Sequence, residues 1–81
     1  PITVTRGQTY GFEIDTPGHS FYLQRTGSGF RSSQVYDRGF TGNGAQTGRH
    51  VWTIPEDAPD ELFYQSRENP RFTGRIIVSD L

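Results

Sequence analysis

The chain has 81 residues, no cysteine and a formal net charge of −1, from 8 basic and 9 acidic residues. A chain of this length builds one small domain with a single core. Without cysteine it has neither a disulfide nor a thiolate ligand, and its balanced charge argues against binding to nucleic acid. No apolar run reaches about 18 residues, so we expect no transmembrane segment. Residues 1–81 are therefore expected to form one domain that is stabilised by packing.

Three short segments near the start alternate apolar and polar residues, as half-buried strands do. They cover residues 2–5, 9–14 and 19–23. In the second segment Tyr10, Phe12 and Ile14 share one face, which is typical of a sheet packed on one side. Proline and glycine at positions 17 and 18 predict a turn before the third segment.

Residues 24–49 lack this alternation and are rich in glycine and polar residues. They are predicted to form a loop. A loop of this length in so small a domain is either functional or contains short irregular strands. Val35, Tyr36 and Phe40 are expected to anchor it to the core, while the role of the glycine-rich part, residues 26–49, stays open.

Alternation returns at residues 50–54, 61–66 and 75–79, and no segment of ten residues has helical periodicity. The side chains expected to face inward from these strands are His50, Trp52, Ile54, Leu62, Tyr64, Ser66, Ile76 and Val78. Short strands bounded by glycine and proline turns favour an all-β sandwich or a partly open barrel.

Five motifs follow one another along nearly the whole chain. They are Arg6-Gly7-Gln8-Thr9-Tyr10-x-Phe12, Pro17-Gly18-His19-x-Phe21-Tyr22, Gly39-x-Thr41-x-Asn43-Gly44-Ala45-x-Thr47-Gly48, Pro55-x-Asp57-Ala58-Pro59-Asp60-x-Leu62-x-Tyr64-Gln65 and Gly74-x-Ile76-x-Val78. In this order they resemble the short cupredoxin-like domains of bacterial and phage proteins. The resemblance implies a Greek-key β-sandwich that lacks the family's usual first strand, which precedes the position of Pro1. A missing strand is expected to leave a sheet edge open.

In metal-binding members, the resemblance implies a mononuclear copper site with two histidines, a cysteine and a methionine. His19 matches the first histidine, and the other positions fall on Ser66, Asn69 and Phe72. Blue-copper chemistry needs two imidazoles, a thiolate and a weak axial thioether, and these three residues supply none of them. We therefore expect no metal or other cofactor. His19 is expected to bond to Ser66 or Asn69, and Phe72 to fill the place of the metal.

Other candidate sites have less support. His50 is expected to be a half-buried histidine with a hydrogen-bond partner. A zinc site from His19, His50 and an acidic residue stays open, but no ligand spacing supports it. No nucleophile-elbow sequence supports serine-histidine-acid catalysis, so we expect no enzymatic activity.

Four aromatic side chains have two open interpretations. They either cover the edges of the core or form a stacking surface for carbohydrate. They are Tyr22, Phe30, Phe40 and Phe63.

The leading hypothesis is a copper-less cupredoxin-like domain, retained as a structural and protein-binding module of a larger assembly. Arg67, Glu68 and Arg71 lie in the former ligand loop and form a possible docking patch, because cupredoxins generally meet redox partners around that loop. The setting would be an accessory subunit of a periplasmic-side electron-transfer complex. The alternatives are a domain of a virion or extracellular surface protein and a carbohydrate-binding sandwich, and a working copper electron-transfer protein is less favoured. The expected location is periplasmic or extracellular.

Overall fold

The computed structural model describes residues 2–27 and 29–80; Pro1, Ser28 and Leu81 lie outside the described residues, as does the expectation about a strand before Pro1. Six strands are present in this part of the chain. They are β1 (Ile2–Thr5), β2 (Thr9–Asp15), β3 (Phe21–Gln24), β4 (Thr47–Thr53), β5 (Glu61–Ser66) and β6 (Thr73–Ser79). A single 3-10 turn at Ser32–Gln34 interrupts the long loop. Within the described ranges, no helix has the length and apolar character needed to cross a bilayer.

The strands form two sheets. The first has the order β1-β6-β5-β3, with β1 parallel to β6 and the other neighbours antiparallel, and the second is the antiparallel pair β2-β4. The prediction of an all-β, sandwich-like fold is confirmed. The described strands do not close into a barrel, and the Greek-key, cupredoxin-like topology stays a prediction.

Several predicted boundaries were wrong. The third strand begins at Phe21 rather than at residue 19, the fourth begins at Thr47 rather than at residue 50, and the sixth begins at Thr73 rather than at residue 75. The segment predicted to be loop therefore loses residues to strands at both ends. Residues 47–49 contain no apolar side chain, but they pair with residues 13–15 of β2. The partner strand extends the ladder regardless of intrinsic preference.

The core lies between the two sheets and includes two side chains of the long loop. Its buried members are Val4, Ile14, Leu23, Tyr36, Phe40, Trp52, Ile54, Ala58, Leu62, Ile76 and Val78. Tyr36 and Phe40 are 3% and 2% exposed, which confirms that they anchor the loop. The ring of Phe40 packs edge-on against Phe12 and Trp52 at centroid distances of 5.9 and 6.3 Å. The loop is thus part of the hydrophobic core.

Two glutamines are fully buried, which the alternation of apolar residues did not indicate. Gln65 lies on the face of β5 opposite to Leu62, and Gln24 lies on the neighbouring strand β3. Residues 25–27 and 29–31, called segment 25–31 below, cover this second face, and their backbone groups bond to the two amides. Gln24 accepts the N–H of Arg31 at 2.8 Å and donates to the carbonyl oxygens of residues 26 and 29.

The amide of Gln65 joins two loops. Its oxygen accepts the N–H of Gly29 at 3.1 Å, and its nitrogen donates to the carbonyl oxygens of Ser66 and Asn69 at 3.0 and 3.3 Å. Buried polar groups are tolerated only when they are bonded in this way. Segment 25–31 is consequently fixed to the loop that follows β5.

The hydroxyl group of Tyr36 is buried and has no hydrogen-bond partner in the described part of the chain. Burial raises the pKa of this phenol. An unpaired buried hydroxyl costs about 1–3 kcal/mol. We therefore expect Tyr36→Phe to leave the free energy of unfolding unchanged or to raise it by about 1 kcal/mol, measured by urea denaturation.

Tyr10→Phe is the matched control. The hydroxyl of Tyr10 accepts the backbone N–H of Thr5 at 2.8 Å, so its loss should lower the free energy of unfolding by about 1 kcal/mol. A loss of similar size in Tyr36→Phe would contradict an unpaired Tyr36 hydroxyl.

Candidate functional site

The loop that joins β5 to β6, residues 67–72, is called the ligand loop below. Strand β3 pairs with β5 so that Phe21 lies opposite Ser66. This register places His19, which is far from the ligand loop in sequence, beside it in space. The turn before β3 fixes the position of His19, because the backbone N–H of His19 donates to the carbonyl oxygen of Thr16 at 2.8 Å.

The hydroxyl of Ser66 is the centre of this site. Ser66 is 2% exposed, and its oxygen accepts the backbone N–H groups of Glu68 and Asn69 at 3.2 and 3.1 Å. The same oxygen lies 3.1 Å from Nδ1 of His19. A hydroxyl has two lone pairs and one proton, so the remaining proton goes to Nδ1. Counting hydrogen bonds assigns neutral His19 the tautomer with its proton on Nε2. The expected bond between His19 and Ser66 is present.

Phe72 packs against the imidazole of His19. Its ring centroid lies 5.3 Å from that of His19 and 6.2 Å from that of Tyr64. Gly74 is required beneath this aromatic layer, because a Cβ atom there would overlap the ring of Tyr64. Asn69 shapes the loop instead of facing a ligand, since its side-chain oxygen accepts the N–H of Arg71 at 3.0 Å.

The carboxylate of Glu68 holds the start of β3. It accepts the backbone N–H of Ser20 at 2.5 Å and the hydroxyl of the same residue at 2.9 Å. The backbone bond is the main cause that lowers the pKa of Glu68, with smaller contributions from the hydroxyl bond and from nearby Arg67. Donors that bind the ionised form favour it over the protonated form. Glu68 is therefore a structural carboxylate.

These residues do not fit the copper ion that the resemblance implies. Ser66 offers a hydroxyl whose bonds are already used, Phe72 has no donor atom, and the amide oxygen of Asn69 binds the ligand loop. A blue-copper centre requires a thiolate and a second imidazole. The ligand-loop end can provide hydrogen bonds and apolar packing, but not this donor set.

The second histidine is placed as a structural residue. His50 is half-buried, donates from Nε2 to the carbonyl oxygen of Thr47 at 3.1 Å and lies against the ring of Phe40. Across residues 2–27 and 29–80, no three histidine, cysteine, aspartate or glutamate side chains come together as a metal site would need.

The three residues of the possible docking patch have different surroundings. The guanidinium of Arg67 lies 5.5 Å from the ring centroid of Phe30, whereas Glu68 is bonded to Ser20. The side chain of Arg71 is exposed, like that of Arg67. None of the ion pairs among the described residues joins these three. The surface at the ligand loop therefore carries two exposed arginines, of which Arg67 lies beside an aromatic ring.

The aromatic residues considered for carbohydrate stacking mostly pack on the protein itself. Phe40 is buried in the core. Tyr22 and Phe30 are half-buried, and their ring centroids lie 4.6 Å apart with the ring planes tilted by 53°. Phe63 is half-buried and lies over Gly27. Tyr22 and Phe63 therefore pack on segment 25–31, and Phe40 belongs to the core.

An apolar cleft opens between the two sheets, and no individual residue of the sequence pointed to it. Its volume is about 330 Å³. It is lined by Ile2, Val4, Phe12, Glu13, Ile14, Asp15, Thr16, Phe21, Leu23, Trp52, Tyr64, Phe72 and Ile76. The one signal for it was the expectation of an open sheet edge. The cleft shares Phe72 with the ligand loop but lies along β1 and β2.

Comparison of the chain with protein-family models, with curated proteins and with solved structures finds no match. The likeness to cupredoxin-like domains therefore rests on the five sequence motifs.

The lowered pKa of Glu68 predicts a pH dependence of stability. Its ordinary value is 4.5, and a lowered folded-state pKa gives stability that is present above that value. This contribution is lost as the pH falls through the folded-state pKa. We expect the stability of wild type to fall more steeply below about pH 4.5 than that of Glu68→Gln, which keeps an acceptor for the N–H of Ser20 but carries no charge.

Chemical denaturation of both proteins from about pH 2 to about pH 7, in steps of about half a pH unit, measures this difference in stability. Glu56→Gln is the matched control, because Glu56 is also an exposed glutamate but lies outside the ligand loop. Parallel pH profiles for wild type and Glu68→Gln would contradict the structural role of the carboxylate.

Proposed function

We propose that this chain is a copper-less cupredoxin-like module that binds other proteins within a larger assembly and has no redox or catalytic activity. The observation that carries the proposal is the saturated hydroxyl of Ser66. It accepts two backbone N–H groups and donates to Nδ1 of His19. A side chain engaged in this way supports the ligand loop and has no bonding capacity left for a substrate or an ion.

The surface of the ligand loop supports a role in docking. Arg67 and Arg71 are exposed there, and Arg67 stacks on the ring of Phe30. Arginine is favoured at interfaces because its planar guanidinium forms bidentate hydrogen bonds and stacks on aromatic rings. The resemblance to cupredoxins, which meet partners around this loop, favours an accessory subunit of a periplasmic-side electron-transfer complex over a virion or surface-protein domain.

The absence of a working copper site is tested by titration with Cu(II). We expect wild type to develop no intense visible absorption, and we expect its calorimetric binding curve to equal that of His19→Ala. The physical reason is that neither a thiolate nor a second imidazole lies beside His19. The triple variant S66C/N69H/F72M restores the missing ligand types and serves as the positive control for the absorption measurement. One-to-one binding with strong visible absorption in wild type, lost in His19→Ala, would overturn the non-redox assignment.

The docking role is tested by sedimentation of the tagged chain in extracts of its source cells. We expect it to sediment in a complex well above its own mass of 9.2 kDa, and we expect Arg67→Glu/Arg71→Glu to return most of it to the monomer position. Reversing two exposed charges at an interface mainly opposes association. The control is Arg38→Glu/Arg75→Glu, which changes two exposed arginines elsewhere that form surface ion pairs of little energetic value. A wild-type chain that sediments as a monomer would contradict the assembly role.

A further inference from the structure

The outer edge of β2 carries unpaired backbone groups. The N–H of Ile54 donates to the carbonyl oxygen of Gln8, and the N–H of Thr16 donates to that of Gln46. Because hydrogen-bonded pairs alternate along an antiparallel ladder, the even-numbered residues of β2 bond to β4. The N–H and C=O groups of Gly11 and Glu13 therefore point away from β4. Among the described residues, β2 ends its sheet and no hydrogen bond reaches these groups.

The apolar cleft lies beside this edge. Residues 12–15 of β2 and Thr16, which follows it, form one of its walls, and Ile2, which is 49% exposed, lies on the β1 side. Trp52, Leu23 and Ile76 also line it. An open strand edge and an exposed apolar cleft are each unfavourable in water. One extended segment can cover both the open edge and the cleft, because its backbone bonds to β2 while every second side chain enters the cleft.

The cleft requires an occupant whose inward side chains are free. In a second copy of this chain, the inward residues Tyr10, Phe12 and Ile14 of β2 are already packed on that copy's own core. Pairing two β2 edges would therefore leave both clefts unfilled. A strand from a different polypeptide has no such prior contacts.

The charged residues beside the β2 edge indicate which side chains the partner strand carries on its outward face. Glu13 and Asp15 are exposed on the outer face of β2. Arg49 lies directly opposite Glu13 in the ladder, but its guanidinium lies over Gly11. None of the ion pairs in the described part of the chain includes either carboxylate. Side chains directly across a strand pair are about 5 Å apart, so opposite charges there stabilise the pairing.

We infer that the edge of β2 binds an extended segment of a partner protein that alternates apolar and basic residues, with the apolar residues in the cleft and the basic ones beside Glu13 and Asp15. This inference rests on the proposed protein-binding function and names the chemistry of one partner. The partner segment adds to the two-stranded sheet as a third strand, which is hydrogen-bonded to β2.

The probe is a synthetic nine-residue peptide that alternates valine and lysine, titrated into the isotope-labelled chain. We expect saturable binding in which amide hydrogen exchange at Gly11 and Glu13 slows by about tenfold, together with shifts of the resonances of Trp52 and Ile76. A peptide that alternates valine and glutamate should bind about fivefold more weakly, because it places like charges beside the acidic residues.

The backbone contact is tested with a matched pair of variants at one position. Gly11→Pro removes the outward N–H at an edge position where proline is tolerated, and we expect it to weaken binding of the valine-lysine peptide by about tenfold or more. Gly11→Ala keeps the N–H, and its added Cβ would meet Arg49 only at ordinary contact distance. It should bind within about threefold of wild type. Nitrogen-proton spectra of the free variants establish that both are folded.

Three outcomes would overturn the inference. The first is equal binding of the peptide to wild type and Gly11→Pro. The second is uptake of octanoate into the cleft while the peptide leaves the β2 amides unprotected, which would make the cleft a small-molecule site. The third is dimerisation of the chain without peptide that Gly11→Pro abolishes. Failure here, with the sedimentation complex still dependent on Arg67 and Arg71, leaves the proposed function intact and removes only this partner.

Discussion

A four-stranded sheet faces a two-stranded one in the described part of this protein, and that mismatch governs much of its structure. The wider sheet presents more apolar surface than two strands can cover, and uncovered apolar surface is costly. The long loop covers part of it with Tyr36 and Phe40, both in the core. The part left uncovered is the cleft along β1 and β2. The unusual loop and the cleft are thus two consequences of one packing constraint.

At the ligand-loop end, a hydroxyl takes the position that the resemblance assigns to a thiolate. Ser66 supports the loop from this position because its hydroxyl oxygen accepts two backbone N–H groups, while the hydroxyl proton is donated to Nδ1 of His19. Glu68 then ties the loop to Ser20, and Phe72 packs over the imidazole. The hydrogen bonds among its own polar groups give the loop a defined shape.

The sequence predicted the all-β class, the approximate positions of the six described strands, and a hydrogen bond from His19 to Ser66 or Asn69, of which the bond to Ser66 is present. Those features follow from local alternation and from motif order. It did not predict the buried pair Gln24 and Gln65, because a period of two assigns each strand only one buried face, whereas segment 25–31 buries the second. It also missed residues 47–49 of β4, which are strand only because residues 13–15 pair with them. Both failures come from tertiary contacts that a local pattern does not contain. The cleft belongs to the same class, since its walls come from strands far apart in sequence.

The two halves of the molecule differ in how their polar groups are satisfied, and this difference bears on function. On the four-stranded side, Gln24, Gln65, Ser66 and Glu68 link β3, β5, segment 25–31 and the ligand loop by side-chain hydrogen bonds. The two-stranded sheet meets the rest through apolar packing and through hydrogen bonds such as those of Tyr10 and Trp52, and a two-stranded ribbon is only marginally stable by itself. A third strand on β2 would therefore stabilise the weaker sheet as it binds, because any ligand that binds only the folded state raises its stability. Binding at this edge and the order of β2 and β4 are then thermodynamically linked, which is the behaviour expected of a module that completes its own fold within an assembly.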